Sequence, residues 1–191
     1  MKRILLAIVL ILSLVICLPS CGEKEIPENP EFARFNEMFQ ASFENYVITV
    51  CSTSASGYQL NNEYIITTAD GVRSVAYTVE TLNEIVVDGD LMEIPESFKN
   101  IEQGIYDAEI SASSSFDVPK FNFSYKCIKS DIITPQSFSA QITSLAGFMG
   151  SDINATNAEF SISYSDNVPS SIEISYVTEE NVTVIITYSF N

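Results

Sequence analysis

The chain contains no histidine and no tryptophan, and only seven of its 191 residues are glycine. Without histidine it lacks the commonest general base near neutral pH and the commonest ligand for zinc, copper and haem iron. Tryptophan is a frequent platform in sugar-processing sites, and none is available. So few glycines leave no room for a glycine-rich phosphate loop, and none is present. Basic residues are scarce as well: 9 Lys+Arg stand against 25 Asp+Glu, a formal net charge of −16. A surface of that sign repels phosphate backbones, which excludes nucleic acid as a partner. There is no G-x-S-x-G elbow, no S-x-x-K motif and no histidine for a triad, so nucleophilic catalysis has no support.

What is present begins with a targeting segment. Lys2 and Arg3 form a basic start, and Ile4 to Leu18 is an apolar run interrupted by little except Ser13. That run has the length of a secretory h-region and falls short of the ~20 residues a membrane-spanning helix needs. It closes on Leu18-Pro19-Ser20-Cys21. This tetrad resembles the lipobox of bacterial lipoproteins: an aliphatic residue, a tolerant position, a small residue, then the cysteine that is lipidated. The resemblance covers the first 22 residues and implies removal of residues 1–20, diacylglyceryl and palmitate modification of Cys21, and anchorage to the bilayer through Cys21. Ordinary signal cleavage, for instance after Gly22, and a retained signal helix are the alternatives. Two acyl chains suffice for stable anchoring where one is marginal.

Loss of the leader removes two basic residues and no acid, leaving 7 basic against 25 acidic side chains and a net charge of −18. Such acidity suits cation binding, a basic partner, or simply a solvated surface held beside a membrane. Residues 21–29 read as the lipidated cysteine and a polar tether. Eight extended residues reach at most about 29 Å, so the folded body would sit close to the bilayer.

A single domain is expected over residues 30–191. Asn29 can cap a helix with Pro30 in its first turn and Glu31 at the positive end of the dipole. Phe32, Phe35, Phe39 and Phe43 recur at helical spacing and form one ring-lined face, either a core face packed on a sheet or a lid over an apolar cavity. From Tyr46 onward the period becomes 2. Tyr46–Thr53 is β-rich; Tyr58, Leu60, Tyr64 and Ile66 share a face, with Asn62 as its polar exception. Ala69-Asp70-Gly71 supplies a turn, and Val75, Tyr77 and Val79 alternate after it. Residues 80–96 read as an acidic loop around Asp88-Gly89, and a further strand is expected to begin near Ile105. Phe121, Phe123 and Tyr125 alternate with polar neighbours, as do Phe160-Ile162-Tyr164, Ile172-Ile174-Tyr176 and the run from Val182 to Phe190. Asp166-Asn167-Val168-Pro169 and Glu179-Glu180-Asn181 read as turns, and Ser144 to Met149 as one short helical turn. The expected class is α+β: an N-terminal helix packed on a curved, mainly antiparallel, half-barrel-like sheet of about eight to ten strands.

One helix followed by a long meander behind a lipobox also resembles lipoprotein carriers and lipid-binding lipoproteins of the LolA, LolB and LppX types. Their half-barrels hold acyl chains between sheet and helices. The likeness lies in element order and compartment, and no family residue is carried across.

Metal sites have little to draw on. Asp88-Gly89-Asp90 is a fragment of a calcium-loop pattern without its remaining ligands, and reads better as a turn. No metal and no cofactor are expected. Cys51 and Cys127 are the thiols left after Cys17 departs and Cys21 is lipidated, so they are the pair for a disulfide in an oxidising compartment. Two free thiols are the alternative. The leading expectation for function is a non-catalytic, extracytoplasmic binding or interaction module with an apolar or protein partner. Its alternatives are a carrier of lipid or another apolar molecule, with a Phe/Tyr-lined cavity of ~300–1,000 Å³ beneath the helix, and a carboxylate-based hydrolase.

Overall fold

The computed structural model describes residues 29–55, 57–83, 85–87, 90–92, 100–150, 153 and 155–190. The lipobox with Cys21, nearly all of the tether, and the Asp88-Gly89 pair lie outside these residues.

Helix α1 spans Glu31–Met38. The Asn29 side-chain oxygen accepts from the Glu31 amide at 3.0 Å, and the Asn29 carbonyl accepts from the Phe32 amide at 2.9 Å. Pro30 has no amide hydrogen to leave unpaired at this end. Phe32, Phe35 and Met38 form the buried stripe of α1. The helix ends earlier than the ring spacing suggests. The Gln40 amide bonds back to the Glu37 carbonyl at 3.0 Å, tightening the last turn. Phe43 therefore lies beyond the helix, where its ring meets Phe190 at 4.6 Å.

The sheet strands are β1 (Tyr46–Thr53), β2 (Tyr58–Ala69), β3 (Val72–Asn83), β6 (Asn100–Ile105), β7 (Ile128–Ile133), β8 (Ser137–Ile142), β9 (Ala155–Ser165), β10 (Val168–Thr178) and β11 (Thr183–Phe190). They form one nine-stranded sheet in the order β6-β3-β2-β1-β11-β10-β9-β8-β7, with every neighbouring pair antiparallel. The chain starts at the centre, works outward to the β6 edge, and crosses to the β7 edge through residues 106–127. It then returns by hairpins to set β11 beside β1. Each edge strand is paired on one side, so the sheet is open. Two hairpins turn on residues in the left-handed region: Asp70 (φ 53°) with Gly71 (φ 75°), and Asp166 (φ 49°) with Asn167 (φ 64°). Consecutive positive φ values match the twist of the flanking strands.

Several expectations need correction. Beside this sheet the helices are slight: α1 has eight residues, α2 (Ala108–Ser111) four and α3 (Leu145–Met149) five. The class is mainly β rather than α+β. Residues 80–96 are not simply a loop: β3 runs to Asn83, and β4 (Ile85–Val87) pairs with β5 (Asp90–Met92) in a separate hairpin. The strand expected to begin near Ile105 instead ends there. Phe121–Tyr125 is not a strand. Its alternation arises from an extended segment whose backbone is served by a side chain. The Asn36 amide of α1 donates to the Phe123 carbonyl at 3.3 Å and accepts from the Phe123 amide at 3.0 Å, as a strand partner would. The Ser144–Met149 turn is present as α3, with Ser144 capping Gly147 at 3.1 Å and Gly150 left-handed at its end.

Parity then sets the two faces of the sheet. Tyr46, Ile48, Ile66, Val75, Phe138, Phe160, Ile162, Ile172, Ile174 and Tyr188 are buried on the face toward α1. Their chain neighbours point to the opposite, outer face.

Candidate functional site

On the inner face, beneath α1, the phenylalanine rings could either pack as core or line a cavity. Phe123 is the hub of a ring cluster. Its centroid lies 5.2 Å from Phe35, 5.4 Å from Phe138, 5.4 Å from Phe148, 5.6 Å from Phe160 and 5.8 Å from Phe39. Phe32 meets Tyr125 at 5.0 Å and Phe138 at 6.2 Å. These separations fall within the range of direct ring contact. Phe32, Phe35 and Phe39 are buried, and Phe43 packs half-buried at the margin. The four phenylalanines thus act as core, and the rings of residues 121–125 fill the space beneath α1.

Two arginines clamp loops onto this body. Arg34 pairs with Glu31 at 2.7 Å and donates to Asn167 at 2.7 Å and to the Tyr164 hydroxyl at 3.1 Å, its guanidinium lying over the Tyr164 ring. Arg73 donates to the Tyr46 hydroxyl and to the Phe116 carbonyl, both at 2.8 Å, and to Asp117. Burial raises the phenol pKa of Tyr188, Tyr46, Tyr176 and Tyr64, with Arg73 pulling Tyr46 part of the way back. A raised folded-state pKa stabilises fully below the unfolded value, about 10 for tyrosine, and that contribution fades as pH climbs through the folded values. Alkaline titration should therefore couple ionisation of these phenols to loss of sheet circular dichroism. Complete phenolate absorbance with an intact sheet signal would contradict this.

The thiols do not form the expected bridge. Both are free, and they belong to opposite faces of the sheet. Cys51 falls on the outer-facing parity of β1, paired with Ile185 and Asn61, whereas Cys127 is buried in the core beside Gly147. A disulfide needs Cα atoms within about 7 Å, and the sheet separates these two. Burial also raises the Cys127 pKa, only partly offset by Lys126. A thiol reagent should label Cys51 in the folded protein and reach Cys127 only after unfolding without reductant. Peptide mapping that finds both blocked until reduction would restore the bridge.

The outer face carries an arrangement that alternation alone did not disclose. Strand register aligns Ser139, Ser161, Glu173, Thr187, Thr49, Glu63, Thr78 and Gln103 as successive cross-strand partners. They form one unbroken polar row from β8 to β6. Seven steps at ~4.8 Å make the row roughly 34 Å long. Two shallow grooves open on it. One, of about 250 Å³, runs over β7–β10 where Ser139, Ser161 and Ser175 stand low between Gln141, Glu159 and Glu173. The other, of about 370 Å³, is lined by Thr49, Asn61, Glu63, Thr78 and Glu80. The Asn61 side-chain oxygen is buried there without a hydrogen-bond partner. Glu159 and Glu173 lie on adjacent strands at diagonal positions, Glu159 opposite Ser175 and Glu173 opposite Ser161. Among the described residues no cluster of three or more potential metal ligands is found.

Fold and face together define an open antiparallel β-sheet protein with an aromatic core on one side and a hydroxyl- and carboxylate-bearing surface on the other. No family model matches the chain, and no curated protein matches it. Among solved structures, the chain is similar to a redesigned β barrel at 9% identity, covering 83% of this chain and 96% of that one, with a TM-score of 0.22. A de novo designed fluorescence-activating β barrel matches at 7% identity, covering 78% and 94%, also with a TM-score of 0.22.

Proposed function

We propose that the chain is an extracytoplasmic lipoprotein, held on a bacterial membrane through acylated Cys21, that works as a non-catalytic interaction module through its outer sheet face. The observation that carries the binding half of this reading is the continuous polar row from Ser139 to Gln103 with its two grooves. A surface of hydroxyls and carboxylates suits a protein partner rich in hydrogen-bond donors better than it suits an acyl chain. The carrier alternative draws less support, since the rings expected to line its cavity contact one another. In this reading the sheet wraps as a half-barrel around the core, with α1 over β8 and β9 and the 113–118 loop over β1–β3. The Phe32–Phe138 and Tyr64–Phe116 contacts fit that curvature.

The membrane half rests on Leu18-Pro19-Ser20-Cys21 and the apolar run before it. Replacing Cys21 with alanine should move the protein from the membrane fraction to the soluble fraction, or leave it as unprocessed precursor, while its acyl label disappears. Mature protein that stays membrane-bound without acylation would overturn the anchor.

A further inference from the structure

The two edges of the sheet are treated differently. The β7 edge is protected: a register shift between Ile128 and Ser130 breaks its ladder, Lys129 and Asp131 add charge, and the Asn29 side chain bonds to Asp131 at 3.0 Å. Thr134-Pro135 follows the strand directly. Bulges, charges and proline are the usual devices that stop an edge from recruiting another strand. The β6 edge, Asn-Ile-Glu-Gln-Gly-Ile over residues 100–105, has no proline, no lysine and no register shift, and Glu102 is its one charge. Ile101 is 55% exposed and Ile105 72% exposed.

Among the described residues β6 has no strand neighbour on its outer side, and the backbone groups that face that way can be assigned. The Tyr106 amide donates to the Val75 carbonyl at 3.0 Å. In an antiparallel ladder hydrogen-bonded pairs alternate, so Gly104 and Glu102 also bond toward β3. Ile101, Gln103 and Ile105 then direct their N–H and C=O groups away from the sheet. Those residues share the outer face, while Glu102 and Gly104 share the inner one, where the Tyr77 ring lies across Gly104.

We infer that β6 is a self-complementary edge that takes a second copy of this chain, β6 pairing antiparallel with β6 about a two-fold axis at Gln103. In that register Ile101 faces the partner's Ile105, the two Gln103 amides meet at the axis, and Glu102 faces the partner's Gly104 rather than a like charge. The three pairs so formed are the ones whose backbone groups are free, giving roughly six inter-strand hydrogen bonds. A single-residue slip would put bonded groups against free ones. The axis stands perpendicular to the sheet, so both outer faces lie on the same side. The polar row that ends at Gln103 then continues from Thr78 through two glutamines to the partner's Thr78. The inference stands on edge geometry and does not depend on the membrane reading.

The test uses the full chain in a non-ionic detergent, with mass measured by sedimentation across a concentration series. A monomer–dimer equilibrium is expected, tightening as salt rises, because the net charge of −16 opposes association until screened. Gln103→Lys places like charges face to face at the axis. It should leave monomer at concentrations where the unaltered chain is half dimeric, with an unchanged thermal midpoint. Gln103→Cys should form an inter-chain disulfide under mild oxidation at least tenfold faster than Glu102→Cys, with the unaltered chain reporting background from Cys51. A monomer at every concentration and salt overturns the proposal. A dimer that survives Gln103→Lys, equal cross-linking at residues 102 and 103, or an open-ended ladder of oligomers also overturns it.

Discussion

Phe123→Ala is expected to cost about 3–5 kcal/mol of folding stability. The ring is 1% exposed and touches helix, strand and loop rings at once: Phe35 and Phe39 from the α1 region, Phe138 and Phe160 from the sheet, and Phe148 from α3. Truncation removes transfer free energy and leaves a cavity that neighbours from four segments cannot jointly close. Domains of this kind are stable by only about 5–15 kcal/mol, so the variant should unfold at much lower denaturant. Phe43→Ala, at the half-buried margin, should cost distinctly less. Denaturant unfolding of both variants decides it. Equal, small losses would mean that the space beneath α1 is not filled by these rings, and would revive a ligand in their place.

The second large effect belongs to Arg73. Its guanidinium ties β3 to the Tyr46 hydroxyl of β1, to the Phe116 carbonyl and to Asp117, and its side chain is 20% exposed. Arg73→Ala should cost about 2 kcal/mol, since hydrogen bonds to a charged donor are lost while the Phe116 carbonyl keeps the Tyr46 hydroxyl at 2.6 Å. Asp117 is 56% exposed, so Asp117→Asn should lose well under 1 kcal/mol after solvent screening. Hydrogen exchange should localise the Arg73→Ala defect to the loop from Ser113 to Val118. A uniform loss across the sheet, or equal losses for the two variants, would contradict the clamp.

Much of the architecture was readable from residue order, for physical reasons. Asn29-Pro30-Glu31 starts a helix because a side-chain acceptor, a missing amide hydrogen and a carboxylate each suit a helix N-terminus. Asp70-Gly71 and Asp166-Asn167 mark hairpins because they tolerate positive φ. Long strands with one buried face announce themselves by period 2, as β9, β10 and β11 do.

The departures have equally specific causes. In β7 the irregularity between Ile128 and Ser130 breaks the alternation, so Ile-Lys-Ser-Asp-Ile-Ile carries no strand period. In β8 the small Ala140 sits at a core position opposite Phe160 and weakens the pattern. Phe121–Tyr125 imitates a strand because Asn36 supplies the hydrogen bonds a strand partner would. Phe43 keeps helical spacing although the chain leaves the helix after Met38. Cys51 shares a strand face with Val47 and Thr49, which does not by itself say whether that face is the core; pairing register puts it on the outer face, away from buried Cys127. The polar row is a different matter. Alternation shows which side chains face outward, but only pairing register shows that eight of them align across eight strands.

The protein proposed here is lipid-anchored, has a solid aromatic core and binds through its outer face. Native mass spectrometry of protein extracted from its own membrane tests this most directly. The expected result is a chain that begins at Cys21, carries covalent diacylglyceryl and acyl mass, and holds no further apolar molecule non-covalently. Unmodified protein beginning at Met1 or Glu23, or a stoichiometric lipid released only on unfolding, would contradict it.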